Sequence, residues 1–202
     1  MSQVKKLLVA THNKGKISEF AEMMQDMAVD WLGLADVGVV EDVPETGHTF
    51  RDNAVLKATA YAQMAGCLTL ADDSGLEVDA LHGAPGVYSA RYGGAGLSSE
   101  GRIALVLQQL ALVPEVARKA RFRCVIVVAD ANGRILAEAD GVCEGLITSA
   151  PVGSGGFGYD PIFRVSELGK TMAQLSSAEK HQMSHRGRAM RKLEPFLRQI
   201  LT

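Results

Sequence analysis

Several stretches of this sequence hold residue types suited to phosphate or acid–base chemistry. Asp72-Asp73-Ser74-Gly75 follows the apolar run Cys67 to Ala71, which reads as a short strand delivering both carboxylates to its end. Successive strand side chains point to opposite faces, so one carboxylate can meet a metal or a water while the other packs against donors. Glu41, Asp42 and Glu45 lie upstream, ahead of a helical stretch. Carboxylates from separate loops, with substrate phosphates adding oxygens, make the hard-oxygen environment that Mg²⁺ prefers. Acidic residues that merely cap a turn or a helix are the alternative at this point.

Thr11-His12-Asn13-Lys14-Gly15-Lys16 sits between an expected strand and an expected helix. A helix start offers unpaired N–H groups and a partial positive charge, and Lys14 and Lys16 add cations, so phosphate can dock there. The spacing is not that of a P-loop. Gly153-Ser154-Gly155-Gly156-Phe157-Gly158-Tyr159-Asp160-Pro161 combines glycines, which let backbone approach a ligand, with two aromatic rings on which a base could stack. Lys180 and Ser184-His185-Arg186-Gly187-Arg188 are either a solvated basic face or donors aimed at a ligand.

The elements that must position these residues alternate. Val4 to Ala10 reads as a buried strand, followed by helical spacing of Ile17, Phe20, Met24 and Met27. Thr49 with Asp52 three residues on predicts a capped helix start, and Gly66 its stop. A further helix is predicted from Ser98 to Leu112, closed by Pro114. Phe122–Ala129 and Arg134 onward towards Ile147 are β-branched runs around Asn132-Gly133, a hairpin signal, so part of the sheet should be antiparallel. Ser176 and Glu179 form an expected capping box, and Ala189, Leu193, Phe196, Leu197 and Ile200 a last amphipathic helix. The expectation is an α/β fold: a mixed twisted sheet with flanking helices, in a single domain over residues 1–202.

Composition narrows the partners. With 202 residues and 47% hydrophobic content the chain can bury a core, and a formal net charge of -2 offers no case for nucleic acid as partner. Cys67, Cys124 and Cys143 show no zinc spacing and read as buried free thiols. The apolar stretch after Lys6 is too short for a signal peptide core or a membrane span, so a cytoplasmic protein with no membrane partner is expected.

Taken in order, these segments resemble the inosine/xanthosine triphosphate pyrophosphatase family. The matching residues are Thr11, Asn13 and Lys16 in the pattern [ST]-x-N-x-x-K, Ala71 to Leu76, Ala84 to Tyr92, Gly155 to Pro161, and Ser184 to Gly187. Members often have Gly where this chain has His12. The resemblance spans nearly the whole chain. It implies an elongated two-lobed fold with a central substrate cleft, a homodimer, and Mg²⁺-dependent hydrolysis of ITP, dITP or XTP to the monophosphate and pyrophosphate. It also places the proton acceptor at Asp73 and the metal contacts at Asp73 and Glu45, with Asp72 as a nearby helper.

By the same resemblance, Thr11, Asn13, Lys16 and Lys180 hold the triphosphate, and Ser74 sits beside it; His12, Lys14 and Gly15 of the first loop are counted with the substrate-binding residues. Phe157, Gly158, Tyr159, Asp160, His185 and Arg186 are further substrate-binding candidates: Phe157 and Tyr159 offer flat faces to a base, and either backbone N–H groups or the side chains of His185 and Arg186 could donate to a 6-oxo group. A pyrophosphatase acting on modified pyrimidine nucleotides is the alternative among enzymes. A nucleotide-sensing regulator is the alternative outside them, although the paired Asp72 and Asp73 would repel phosphate unless a metal intervened.

Overall fold

The structure is a computed structural model that describes residues 5–94 and 96–201. Val4, the expected start of the first strand, lies outside the described residues. The apolar run that follows forms β1 (Lys5–Val9), with Leu7, Leu8 and Val9 buried. Asn13 caps α1 (Lys14–Met23) by accepting from the backbone N–H of Gly15 and Lys16. The apolar spacing outlasts this helix: Met24 and Met27 lie beyond it yet stay buried, because Met27 N–H returns to the Met24 carbonyl in a turn.

That turn leads to β2 (Val29–Leu32), a short strand without a clear sequence signal, which exists by pairing in parallel with β1. The helix predicted at Thr49 is α2 (Phe50–Ala65), with the Thr49/Asp52 capping box in place and Gly66 at its end. Next comes β3 (Thr69–Val78), also parallel to β1. It corrects the expectation that the strand stops before Asp72. The chain stays extended and mostly buried through Ser74-Gly75, so both aspartates sit in mid-strand rather than at a turn.

After α3 (Ser99–Gln109), capped by Ser98, come β4 (Lys119–Ala129) and β5 (Ile135–Ile147). The helix is shorter than its apolar pattern: Leu110 is buried just past its end, whereas Leu112 is 98% exposed. Strands β4 and β5 are sheet neighbours joined by the turn Asp130–Arg134, which makes them the predicted antiparallel hairpin. Strand β6 (Phe163–Val165) pairs antiparallel with β5. The sheet order is β2-β1-β3-β4-β5-β6, so the mixed α/β expectation holds. The short α4 (Ser177–Met183) has the expected Ser176/Glu179 box, and α5 (His185–Leu201) is the last element of the described residues.

Two compact units result, one comprising residues up to Asp73, Cys124–Gly141 and residues from Arg186, the other Ser74–Arg123 and Val142–His185. In the first, Ala189, Leu193 and Leu197 of α5 pack with Phe20 of α1 and with Leu7, Leu70 and Ile126 of the sheet. Each large apolar side chain so buried contributes roughly 1.5–3 kcal/mol. In the second, Leu76, Val106, Phe122, Ile147 and Phe163 form the core. Both Cys124 and Cys143 are buried free thiols as expected, and Cys67 is partly exposed. Thr49→Ala removes the hydroxyl that accepts from Asp52 N–H and should lower stability by about 1 kcal/mol, read by urea denaturation.

Candidate active site

Strand alternation in β3 sends its two carboxylates to different neighbours. Asp72 has a side chain 1% exposed and takes Lys16 Nζ on both oxygens, at 3.0 and 2.8 Å. Arg186 Nη2 lies 3.4 Å from the same carboxylate, and the guanidinium also pairs with Glu19 of α1. Burial works to raise the pKa of Asp72, yet the positive charges of Lys16, Arg186 and Lys57 outweigh it and hold the carboxyl well below its ordinary range.

Asp73 meets α2 instead. Its Oδ2 accepts from Asn53 Nδ2 at 3.2 Å, and its Oδ1 lies 3.2 Å from Lys57 Nζ. The same ammonium donates to Glu45 Oε1 at 2.6 Å, so the two carboxylates converge on one cation. Here burial dominates and pushes the Asp73 pKa up, with Glu45 adding to the rise and Lys57 opposing it. The segment bearing Glu45 is seated by Gly47, whose N–H donates to Asn53 Oδ1 at 2.8 Å. A Cβ at Gly47 would lie 2.9 Å from the Asn53 backbone nitrogen, so only glycine allows this approach.

In the loop before α1, Thr11 Oγ1 accepts from Asn13 N–H and Asn13 Oδ1 caps the helix. Lys14 is exposed, Gly15 is half-buried, and His12 Nε2 lies 3.1 Å from Asp42 Oδ1 at the surface. This first unit thus gathers Lys16, Asp72 and Arg186 on one side of β3, and Glu45 and Asp73 on the other.

Within the second unit, Asp160 Oδ2 accepts from Phe157 N–H at 3.0 Å and from Lys180 Nζ at 2.8 Å. Lys180 Nζ also stands 4.8 Å from the centroid of the Phe157 ring. Gly156 has φ 72°, and a Cβ there would fall 2.0 Å from Asp160 Oδ2, so the loop closes on its own aspartate only without a side chain. Gly158 is also left-handed, at φ 60°. Tyr159 offers no free ring face: it is 6% exposed, packs in the core, and donates its hydroxyl to the Ser89 carbonyl. His185 is buried and stacks on Phe122, with ring centroids 4.8 Å apart. Ser74 follows Asp73 on β3 and is half-buried.

Among the described residues no group of three or more His, Cys, Asp or Glu gathers as a metal site. The pair Glu45 and Asp73 still fits a hard cation in kind, since both present carboxylate oxygens to one point already chosen by a cation. Substrate phosphate and water would complete its shell. Asp72 faces away from that point.

The Ham1 family model matches residues 7–196. The chain belongs to the Ham1 family. It is similar to a dITP/XTP pyrophosphatase of Bacillus cereus, 48% identical over 195 residues, which cover 96% of this chain and 95% of the relative. One from Bacillus subtilis is 45% identical over 96% of this chain and 98% of its own. Solved structures agree. The Ham1 protein of Staphylococcus aureus has a TM-score of 0.84 at 42% identity, with 97% of this chain and 100% of that one covered. A HAM1 protein from Coxiella burnetii has a TM-score of 0.86 at 38% identity, with 96% and 99% covered.

Three residues of this Ham1 chain escape the sequence reading: Glu19, Asn53 and Lys57. The last two had a signal, since they fall in a helical row with Phe50 and Tyr61 that is buried throughout. A lysine in a buried row needs a carboxylate partner.

The adjacent aspartates should behave oppositely in stability. The depressed pKa of Asp72 gives a contribution present above its unfolded value, about 4, and lost as pH falls through the folded value. For Asp73 the folded pKa is raised, so any contribution is complete below the unfolded value and lost as pH rises through the folded one. Asp72→Ala should therefore cost about 3–5 kcal/mol at pH 7, by leaving buried cations unpaired. Asp73→Asn should cost nothing or stabilise. Parallel urea titrations decide, and equal losses would refute the asymmetry.

Proposed function

We propose that this protein is a Mg²⁺-dependent pyrophosphatase that hydrolyses non-canonical purine nucleoside triphosphates, dITP, ITP and XTP, to the monophosphate and pyrophosphate. The observation that carries it is the convergence of Asp73 and Glu45 on one cation position, with Asp73 buried and its pKa raised. Family relatives that are dITP/XTP pyrophosphatases, 43–48% identical over most of their length, support the substrate class.

When bound at Glu45 and Asp73, Mg²⁺ would neutralise phosphate charge and polarise the phosphorus. The chain's own residues do the rest. Asp73 accepts the proton of the attacking water, the water oxygen bonds to phosphorus, and the bridge between the α and β phosphates breaks with pyrophosphate leaving. The burial of Asp73 keeps its carboxylate poorly hydrated and so available to a proton.

Lys57 holds both carboxylates in place before substrate arrives. Lys16 offers a cation to phosphate, and the positive end of α1 adds its dipole, its Gly15 and Lys16 N–H groups being taken by the Asn13 cap. We assign Asp72 to positioning Lys16 rather than to the metal, because it engages that ammonium with both oxygens. Phe157 and Lys180 offer an aromatic face and an ammonium to the nucleotide. A 6-oxo purine accepts from donors such as His185, whereas adenine sets donor against donor. Arg186 is already committed to Asp72 and Glu19, so we assign it to the phosphate side through Lys16 and Asp72.

Among the described residues no helix is long and apolar enough to cross a membrane. Three free cysteines support a reducing cytoplasmic setting, and the family resemblance supports a homodimer.

Pyrophosphate release measured across dITP, ITP, XTP, GTP and ATP tests the reading: the first three should be cleaved and ATP scarcely at all. Excess EDTA should abolish the activity, and turnover that survives it would remove the metal from the scheme. Asp73→Asn should lower kcat by at least about a hundredfold.

A further inference from the structure

The chemistry above makes no use of the block Ala84 to Tyr92, although it is among the most distinctive stretches of the sequence. In the structure this block forms a short 3-10 turn, Gly86–Arg91, with Ser89 buried at its centre. Ser89 Oγ accepts from Leu76 N–H at 2.9 Å and donates to the Gly86 carbonyl at 2.7 Å. The Ser89 carbonyl in turn accepts from the Tyr159 hydroxyl at 3.0 Å. Leu76 lies three residues after Asp73 on β3, and Tyr159 belongs to the loop that carries Phe157. One serine therefore ties the strand that leaves the aspartates to the glycine-rich loop.

Such a tie has mechanical work to do. Gly153, Gly156 and Gly158 all adopt positive φ, and a glycine-rich segment loses much conformational entropy when ordered. Asp160 shapes the loop from within through Phe157 N–H, and Gly155 N–H fastens one side to the Ala173 carbonyl. Tyr159, through Ser89, fixes where the loop stands against β3. Burial pushes the phenol up to about 12, so it stays protonated and donating at any working pH.

We propose that Ser89 and Tyr159 are positioning residues for base recognition, a buried brace that holds Phe157 and Lys180 where a purine meets them. The proposal rests on the nucleotide pyrophosphatase reading. It assigns Tyr159 to bracing rather than to stacking on a base.

Tyr159→Phe and Ser89→Ala, alone and combined, test it with dITP and ATP as substrates and with thermal melting as the fold control. Loss of one positioning hydrogen bond should raise KM for dITP by about tenfold, with a smaller fall in kcat. The ratio of kcat/KM for dITP over ATP should narrow, and the double variant should lose little beyond the worse single one, since both cut the same brace. Proportional losses on both substrates, or additive losses in the double variant, would overturn the brace. Should the wild type release no pyrophosphate from dITP, the functional reading fails, and hydrogen exchange then judges the brace separately. Tyr159→Phe must speed exchange of the Phe157 and Leu76 amides, and unchanged protection sinks it.

Discussion

Two adjacent carboxylates buried in the middle of a strand are the constraint on which the first unit is built. Ionised groups lose several kcal/mol each when taken out of water, unless partners return it. Because alternation turns Asp72 and Asp73 to opposite faces, one cation set cannot serve both. Lys16 from α1 and Arg186 from α5 answer the first, and Lys57 with Asn53 from α2 answers the second. The placement of three helices is thus coupled to two residues of β3. The Asn13 cap, the Thr49/Asp52 box and the apolar seat of α5 are means of bringing those cations to the strand.

The same residue type then ends in two electrostatic states. Asp72, gripped through both oxygens, is held ionised far below its ordinary range. Asp73, buried beside Glu45 with one ammonium shared between them, is pushed the other way. Environments that split like groups in this manner mark out acid and base roles. The arrangement also has a cost: where Asp73 is ionised against its surroundings it weakens the fold locally.

Helix signals were legible because capping is local chemistry: Thr49 with Asp52, Ser176 with Glu179, and Ser98 each caps a helix where the sequence predicts. The hairpin at Asn132-Gly133 was legible for the same reason. Non-local features were not. Strand β2 exists by pairing with β1, and four residues carry too little pattern to announce it. Continuation of β3 through Ser74-Gly75 reads as a turn, because the cations that make mid-strand aspartates tolerable come from elements far away in sequence. Tyr159 looks like a base platform beside Phe157, and only the fold shows its ring turned into the core. The carboxylates and lysines that meet around β3 could be picked out by type and spacing, whereas Lys57, although it shares a helical row with Phe50 and Tyr61, gains a role only where that row meets Asp73 and Glu45.

Charge pairing differs between the two sides of β3. On the Asp72 side the carboxylates of Asp72 and Glu19 meet the cations of Lys16 and Arg186 in a mostly buried set. On the Asp73 side two carboxylates, Asp73 and Glu45, share the ammonium of Lys57 in a less deeply buried place, the Glu45 side chain being 24% exposed. Carboxylates at short range repel an approaching polyphosphate, the more so in a medium less polar than water. A divalent cation reverses the sign of the encounter. The Asp72 side, gripped by Lys16 and Arg186, gives β3 its anchorage, whereas the Asp73 side presents two carboxylates that share one ammonium, a donor set suited in kind to a hard cation.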